Sequence, residues 1–232
     1  MPVRHVVLIP AAGVGSRMGS ATPKQYLPLS GKPVLRHTID CFLDHSWIDA
    51  ILVVISPDDV FYAQFDWPAD PRLQVARVGA ASRAGSVRNG LALLAQDLAE
   101  DDWILVHDAA RPCLLAPELL RLRDELRDDP LGGILAMPVA DTLKLADRSQ
   151  FIDRTVPRES MWQAQTPQMF RCRLLLAALE QADLSAITDE ASALELVGMH
   201  PRLVSGSVRN IKLTYPDDLA LAEWILQQKE KT

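Results

Sequence analysis

Val6-Val7-Leu8-Ile9-Pro10-Ala11-Ala12-Gly13-Val14-Gly15-Ser16-Arg17-Met18-Gly19 is the stretch from which the architecture is read. Its first four residues are an apolar run, rich in β-branched side chains, that stops at Pro10, the pattern of a strand buried on both faces of a parallel sheet. The glycines that follow let backbone N–H groups turn inward around an anion. Two familiar phosphate loops fail on spacing: Gly13, Gly15 and Gly19 leave one residue too many for G-x-G-x-x-G, and no Gly-Lys-Ser/Thr follows for a P-loop. Arg17 within the loop and Lys24 in Pro23-Lys24-Gln25-Tyr26 place two cations beside the turn, which suits a triphosphate better than a dinucleotide's pyrophosphate. The same residues also read as a tight strand-to-helix turn with two solvated basic side chains, and the loop by itself does not choose.

Working outward, residues 34–45 carry Leu35, Ile39, Phe42 and Leu43 at helical spacing, and residues 51–55 form a second buried strand. Strand 73–78, helix 87–98, strand 103–107, helix 117–127 and strand 132–136 continue the alternation, which predicts an α/β domain with a doubly wound, mostly parallel central sheet. Between about Val139 and Pro157 the pattern becomes two alternating segments, 141–145 and 151–156, around a polar turn at 147–150. A lone two-stranded hairpin is marginal in water, so the reading is a β-arm over 139–160 that packs on a second subunit or on the domain body, with a dimer preferred. Helices over 171–181, 191–197 and 217–229 and a strand over 200–204 complete a single domain spanning 1–232.

The net charge of -6 argues against a broad basic footprint, so neither nucleic acid nor an anionic membrane is an expected partner and any anionic ligand must meet a local basic site. Three cysteines without a C-x-x-C pair suit buried thiols in a reducing compartment. No apolar run is long enough for a membrane span, and the N-terminal one is too short for a leader, so a cytoplasmic protein is expected. The five histidines lack metal-binding spacing and the serines lack a G-x-S-x-G elbow, which removes transition-metal and hydrolase readings.

Further motifs occur in order along the chain: Arg83-x-x-Ser86-Val87, His107-Asp108-Ala109-Ala110-Arg111-Pro112, Gln165-Thr166-Pro167-Gln168, Thr188-Asp189-Glu190 and Asn210-Ile211-Lys212. Together with the Gly-rich loop and Pro23-Lys24-Gln25-Tyr26 they run nearly the whole length, and in that order the chain resembles the 2-C-methyl-D-erythritol 4-phosphate cytidylyltransferases of the non-mevalonate isoprenoid pathway. The resemblance implies a Rossmann-like nucleotidyltransferase fold with a protruding β-arm, a homodimer, and Mg²⁺-dependent transfer of CMP from CTP to a sugar-alcohol phosphate. One departure is visible: the family's paired glycines ahead of Arg-x-x-Ser are here Gly79-Ala80, which alanine fits only on backbone of negative φ or with little strain.

The resemblance also assigns roles. Arg17, Lys24, Arg158 and Lys212 are the expected catalytic set, the first two on the triphosphate, Arg158 gripping the acceptor phosphate from the partner subunit, and Lys212 orienting it. Ala11, Ala12, Gly13, Gly15, Gly79, Ala80, Arg83, Ser86, Asp108 and Ala109 are expected around the nucleotide, with Arg83 alternatively a structural brace. Arg111, Thr142, Arg158, Thr188 and Lys212 are expected on the acceptor. Asp108, at the carboxyl end of a strand, is placed near the metal or the ribose, the Mg²⁺ being held mainly by phosphates. Read on their own, Asp108 is a turn or N-cap aspartate and Thr188 the N-cap of the helix begun by Asp189-Glu190. Ribitol 5-phosphate cytidylyltransferases share the Lys-Gln and Gln-Thr-Pro-Gln features. A CTP sensor without turnover, a hexose 1-phosphate nucleotidyltransferase and a hydride-transfer enzyme are the remaining rivals, the last weakened by the glycine spacing.

Overall fold

The computed structural model describes residues 3–13 and 22–229. Strand β1 (His5–Pro10) is followed by a short hairpin, β2 (Pro28–Leu29) and β3 (Lys32–Pro33), then helix α1 (Val34–Leu43) and strand β4 (Ala50–Val54). Next come β5 (Leu73–Ala76), α2 (Arg83–Leu94), β6 (Trp103–Val106), α3 (Ala116–Leu126) and β7 (Gly132–Pro138). The chain ends with β8 (Leu143–Ala146), β9 (Ile152–Val156), β10 (Trp162–Arg171), α4 (Cys172–Gln181), α5 (Glu190–Leu196), β11 (Arg202–Ser205) and α6 (Asp218–Lys229).

Seven strands form one sheet in the order β11-β7-β10-β6-β1-β4-β5. β1, β4, β5 and β6 run parallel, and β11 pairs parallel with β7. Successive residues of a central strand enter opposite cores: Val7 and Ile9 pack with Leu35, Phe42 and Leu119 on one face, and Val6 and Leu8 with Val87, Leu91 and Leu175 on the other. All of them are buried. A sheet covered on both faces needs apolar side chains at every position, which is why these strands show no polar alternation.

The chain runs from β1 outward through β4 to β5, then returns to the other side of β1 as β6. That reversal opens a crevice at the carboxyl ends of β1 and β6, where ligands of open α/β sheets bind.

Strand β10, like the short β2–β3 hairpin, has no counterpart among the elements that the sequence pattern predicts. It pairs antiparallel with both β6 and β7 in the middle of the sheet, so the sheet is mixed at its centre. Its ladder with β7 breaks between Ala164 and Gln168, and Gln165-Thr166-Pro167 bulges out of register. A proline inside a polar stretch argues against a central strand unless a bulge accommodates it. Gly132, at φ +117°, opens β7 where an added Cβ would strike the Met169 carbonyl and lie 2.9 Å from the Phe170 Cα.

Two further differences bear on the cleft. Helix α2 starts at Arg83 rather than 87 because the Ser82 hydroxyl accepts from the Gly85 N–H at 3.0 Å, an N-cap that moves the helix one turn earlier. Helix α5 is capped by Asp189, whose carboxylate accepts from the Ser192 N–H at 2.9 Å, not by Thr188.

β8 and β9 make a separate two-stranded sheet, as the alternating pattern predicts. Asp147 closes its turn by accepting from the N–H groups of Ser149 (2.8 Å) and Phe151 (3.0 Å). Leu145, Phe151 and Ile152 stand exposed on this hairpin, Phe151 at 72%.

Candidate active site

A cleft of about 460 Å³ lies at the crevice and is lined by Ala11–Gly13 after β1, Lys24 and Gln25, Ser56 after β4, residues 79–83 and Ser86 at the start of α2, residues 108–110 after β6, and Lys212. Of the residues expected around the nucleotide, Ala11, Ala12, Gly13, Gly79, Ala80, Arg83, Ser86, Asp108 and Ala109 therefore share one wall system, joined by Lys24 and Lys212. Gly15 and Arg17 lie outside the described residues.

Glycine at 79 is a steric requirement. A Cβ there would run into the Ala12 methyl and come within 2.7 Å of the Ile55 carbonyl oxygen, closing the cleft floor. Ala80 needs no such freedom: Ser30 and Gln150 are the non-glycine residues of positive φ among the described residues, so Ala80 sits on ordinary backbone. Its N–H donates to the Ser86 hydroxyl at 2.9 Å. The departure from paired glycines is thus accommodated.

Asp108 is the electrostatic centre of the cleft. Arg83 Nε donates to its Oδ1 at 2.8 Å, Lys212 Nζ lies 2.8 Å from Oδ2, and Arg111 Nε lies 3.6 Å from Oδ2. Burial opposes ionisation of this carboxyl, yet the charges of Arg83, Lys212 and Arg111 together outweigh it and hold the pKa far below the usual carboxylate range. Arg83 turns its other edge to Glu190, which it grips through both carboxylate oxygens at 2.6 and 3.0 Å. Burial works against the Arg83 charge, and the two carboxylates raise its pKa above the ordinary value. No helix begins at Asp108, whose carbonyl accepts from the Arg111 N–H in a turn, so the N-cap reading does not hold.

The bulge of β10 supplies the second layer. Thr166 Oγ1 accepts from the Asp108 N–H at 3.1 Å and meets His107 Nδ1 at 3.0 Å. His107 Nε2 faces the Arg111 carbonyl at 3.1 Å, an acceptor, so the ring carries its proton on Nε2 and takes the Thr166 proton at Nδ1. Asn210 donates to the Thr166 carbonyl at 2.7 Å, and Arg111 donates to the Asn210 carbonyl at 2.6 Å. The Leu213 N–H then donates to the Ala110 carbonyl at 2.8 Å, and Lys24 Nζ donates to the Leu213 carbonyl at 3.0 Å. This stitching brings Lys24 and Lys212, 188 positions apart in sequence, to one cleft.

Other expected residues are placed elsewhere. Arg111 is buried beneath Asp108 and does not line the cleft. Thr142 and Arg158 are exposed at the base of the hairpin, where Arg158 donates to the Ala140 carbonyl, and Thr188 is exposed ahead of α5, its N–H on the Ser192 hydroxyl at 3.0 Å. None of the three lines the cleft of its own chain. The structure adds Gln25, Glu190, Thr166 and Asn210 to the surroundings of the cleft, each from inside a quoted motif. Their signal would have been a polar side chain in an apolar neighbourhood, and burial is not visible in spacing.

Comparison with known proteins accords with this geometry. Residues 5–228 match the family model described as 2-C-methyl-D-erythritol 4-phosphate cytidylyltransferase. The chain belongs to that family. A relative of that name from Laribacter hongkongensis is 54% identical, with 96% of each chain covered, and one from Dechloromonas aromatica is 52% identical, covering 98% of this chain and 99% of the relative. A crystal structure of 4-diphosphocytidyl-2C-methyl-D-erythritol synthase superposes with a TM-score of 0.86 at 43% identity, covering 97% of this chain and all of the other. The family structure from Thermus thermophilus gives 0.77 at 30% identity, covering 98% and 100%. The chain is therefore an enzyme, a cytidylyltransferase of the methylerythritol branch rather than the ribitol one, and the sensor and hydride-transfer readings fall away.

The buried His107 generates a prediction. Burial lowers its pKa from 6.5 to about 4, against smaller opposing effects of the Arg111 carbonyl and Asp108. A depressed histidine pKa stabilises the fold fully above pH 6.5, and that contribution drains away as pH falls toward 4, by about 3 kcal/mol in total. Unfolding free energies measured from pH 7 to 4 should fall less steeply in His107→Phe, whose ring can keep the edge contact with Phe42, than in the parent chain. Equal slopes would contradict the assignment.

Proposed function

We propose that the cleft at the ends of β1 and β6 is where CTP binds, and that CMP passes there to 2-C-methyl-D-erythritol 4-phosphate, giving 4-diphosphocytidyl-2-C-methyl-D-erythritol and pyrophosphate. The observation that carries this reading is the placement of Lys24 and Lys212 on one cleft, with the buried Asp108 carboxylate held between Arg83 and Lys212. Three cations, Arg83, Arg111 and Lys212, stand against two carboxylates, Asp108 and Glu190, and Lys24 adds a further positive charge. A polyphosphate thus meets a locally positive site in a chain whose net charge is -6.

An oxygen of the acceptor phosphate attacks the α-phosphorus of CTP, and the bond from that phosphorus to the β-phosphate oxygen breaks. The attacking oxygen is already anionic at neutral pH, so no general base is required. The protein's work is to position the phosphates and offset charge that grows on the α-phosphoryl group and the departing pyrophosphate. Lys24, with Arg17 from the Gly-rich loop, is assigned to the triphosphate, and Lys212 to the acceptor phosphate.

Mg²⁺ suits this donor set. Among the described residues no group of three histidine, cysteine or acidic side chains could hold a metal, and Asp108 is the one carboxylate lining the cleft. One carboxylate plus substrate phosphates is the usual coordination of a cation that keeps several waters. Bound there, Mg²⁺ would supply charge neutralisation on the phosphates.

The exposed apolar residues of the hairpin, and the absence of Arg158 and Thr142 from the lining of their own cleft, support a homodimer in which each arm serves its neighbour's acceptor site. The buried thiols Cys41, Cys113 and Cys172 suit a reducing cytoplasm.

Pyrophosphate release with CTP and Mg²⁺ is expected with methylerythritol phosphate and not with ribitol 5-phosphate or without acceptor. Lys24→Ala should lower kcat/KM for CTP by roughly a hundredfold or more, and Lys212→Ala should chiefly raise the acceptor KM. Negligible effects from both would remove the site assignment. For the arm, co-refolded Arg158→Ala and Lys24→Ala chains should recover activity that neither variant has alone. Failure to recover it in a verified mixed dimer would place Arg158 on its own chain's cleft or on none.

A further inference from the structure

We infer that Gln25 is a positioning residue for the triphosphate of CTP, acting by pinning two carbonyls of the loop after β1. Its side chain is buried, 3% exposed, and its Nε2 donates to the Ala11 carbonyl at 2.7 Å and the Gly13 carbonyl at 3.0 Å. One amide nitrogen thus spends both hydrogens on two peptide oxygens of the stretch that lines the cleft. A carbonyl oxygen carries partial negative charge, and two such oxygens turned toward a triphosphate would repel it. A trans peptide points its C=O and N–H in opposite directions, so directing the Ala11 carbonyl at Gln25 directs the Ala12 N–H away from it. The amide therefore biases the loop toward presenting donors and hiding acceptors, the arrangement an anion needs.

The pin is anchored independently of any ligand. Gln25 sits in a 3-10 turn, Lys24–Tyr26, in which the Tyr26 N–H donates to the Pro23 carbonyl at 2.8 Å. Tyr26 next to it is buried, stacks on Phe61 and Phe65 at ring separations of 5.6 and 5.8 Å, and donates its hydroxyl to Asp59 at 2.8 Å. Lys24 on the other side reaches the Leu213 carbonyl. The three residues divide the labour: Tyr26 holds the turn to an aromatic floor, Gln25 ties it to the loop after β1, and Lys24 faces the cleft. Glutamine is suited to the middle position because the amide combines length, neutrality and two donors on one atom.

This role rests on the assignment of the cleft to CTP, and the experiment separates the two. Calorimetric titration with CTP and with CMP, both with Mg²⁺, is carried out on the full chain, on Gln25→Met, which keeps the side-chain length without donors, and on Lys24→Ala. Gln25→Met should weaken CTP binding about tenfold while leaving CMP within about twofold, because the loop serves the outer phosphates. The acceptor KM at saturating CTP should also stay within about twofold. A merely structural role would weaken CTP and CMP together, and that result, or unchanged CTP affinity while Lys24→Ala loses it, overturns the inference. Unchanged CTP affinity in both variants would overturn the cleft assignment and the inference with it. Gln25→Leu, uncharged and without amide hydrogens, should show the same selective loss and reads the result if the methionine variant does not fold.

Discussion

The carboxylate of Asp108 is drawn out of water at the end of β6, and it is stable there because Arg83, Lys212 and Arg111 close around it. Desolvating such a group costs several kcal/mol, and removing one partner of a buried charge pair typically costs about 3–5 kcal/mol. The cost binds distant parts of the chain together. Arg83 comes from the first turn of α2, Arg111 from the turn after β6 and Lys212 from the segment after β11, so the cluster forms only when these elements are docked. Glu190 completes it by occupying the far edge of Arg83, which leaves Nε for Asp108. The fold and the charge of the cleft are consequently set by the same contacts.

Around that cluster, polar side chains from a strand bulge do the work that regular ladder hydrogen bonds do elsewhere. Gln165 donates to the Ser207 carbonyl at 2.8 Å, Thr166 holds the Asp108 peptide, and Gln168 donates to Asp189 at 2.8 Å while accepting from the Ala191 N–H at 2.9 Å. One four-residue motif thereby fixes the approach to Lys212, the turn carrying Asp108 and the start of the helix carrying Glu190. None of its residues lines the cleft, which distinguishes them from Lys24 and Lys212.

The apolar strands were legible because a sheet covered on both faces demands uninterrupted hydrophobic runs, and β1, β4 and β6 have them. The hairpin was legible from its period of two. Strand β10 was not, because Pro167 and three glutamines obscure a run whose apolar half, Met169 and Phe170, is short, and only the neighbouring strands reveal that the polar half is a bulge in the middle of the sheet. Lys24, Asp108 and Lys212 stood out as charged residues in motifs. The buried partners Gln25, Glu190 and Asn210 carry no charge pattern or spacing that betrays their burial, and Arg111 was read as a ligand-facing cation although it lies beneath Asp108. Conversely, Thr142 and Arg158 stand exposed on the hairpin and off the cleft of their own chain, a placement that spacing alone does not give.

The most direct test of the account is a crystal structure of the chain with CTP and Mg²⁺. The triphosphate should lie between the loop at Ala11–Gly13, Lys24 and Asp108, with the cytosine toward Gly79, Ala80 and Ser86. A nucleotide bound instead at the other basic cleft, among Arg123, Arg127 and Arg171 at the opposite end of the sheet, would contradict it.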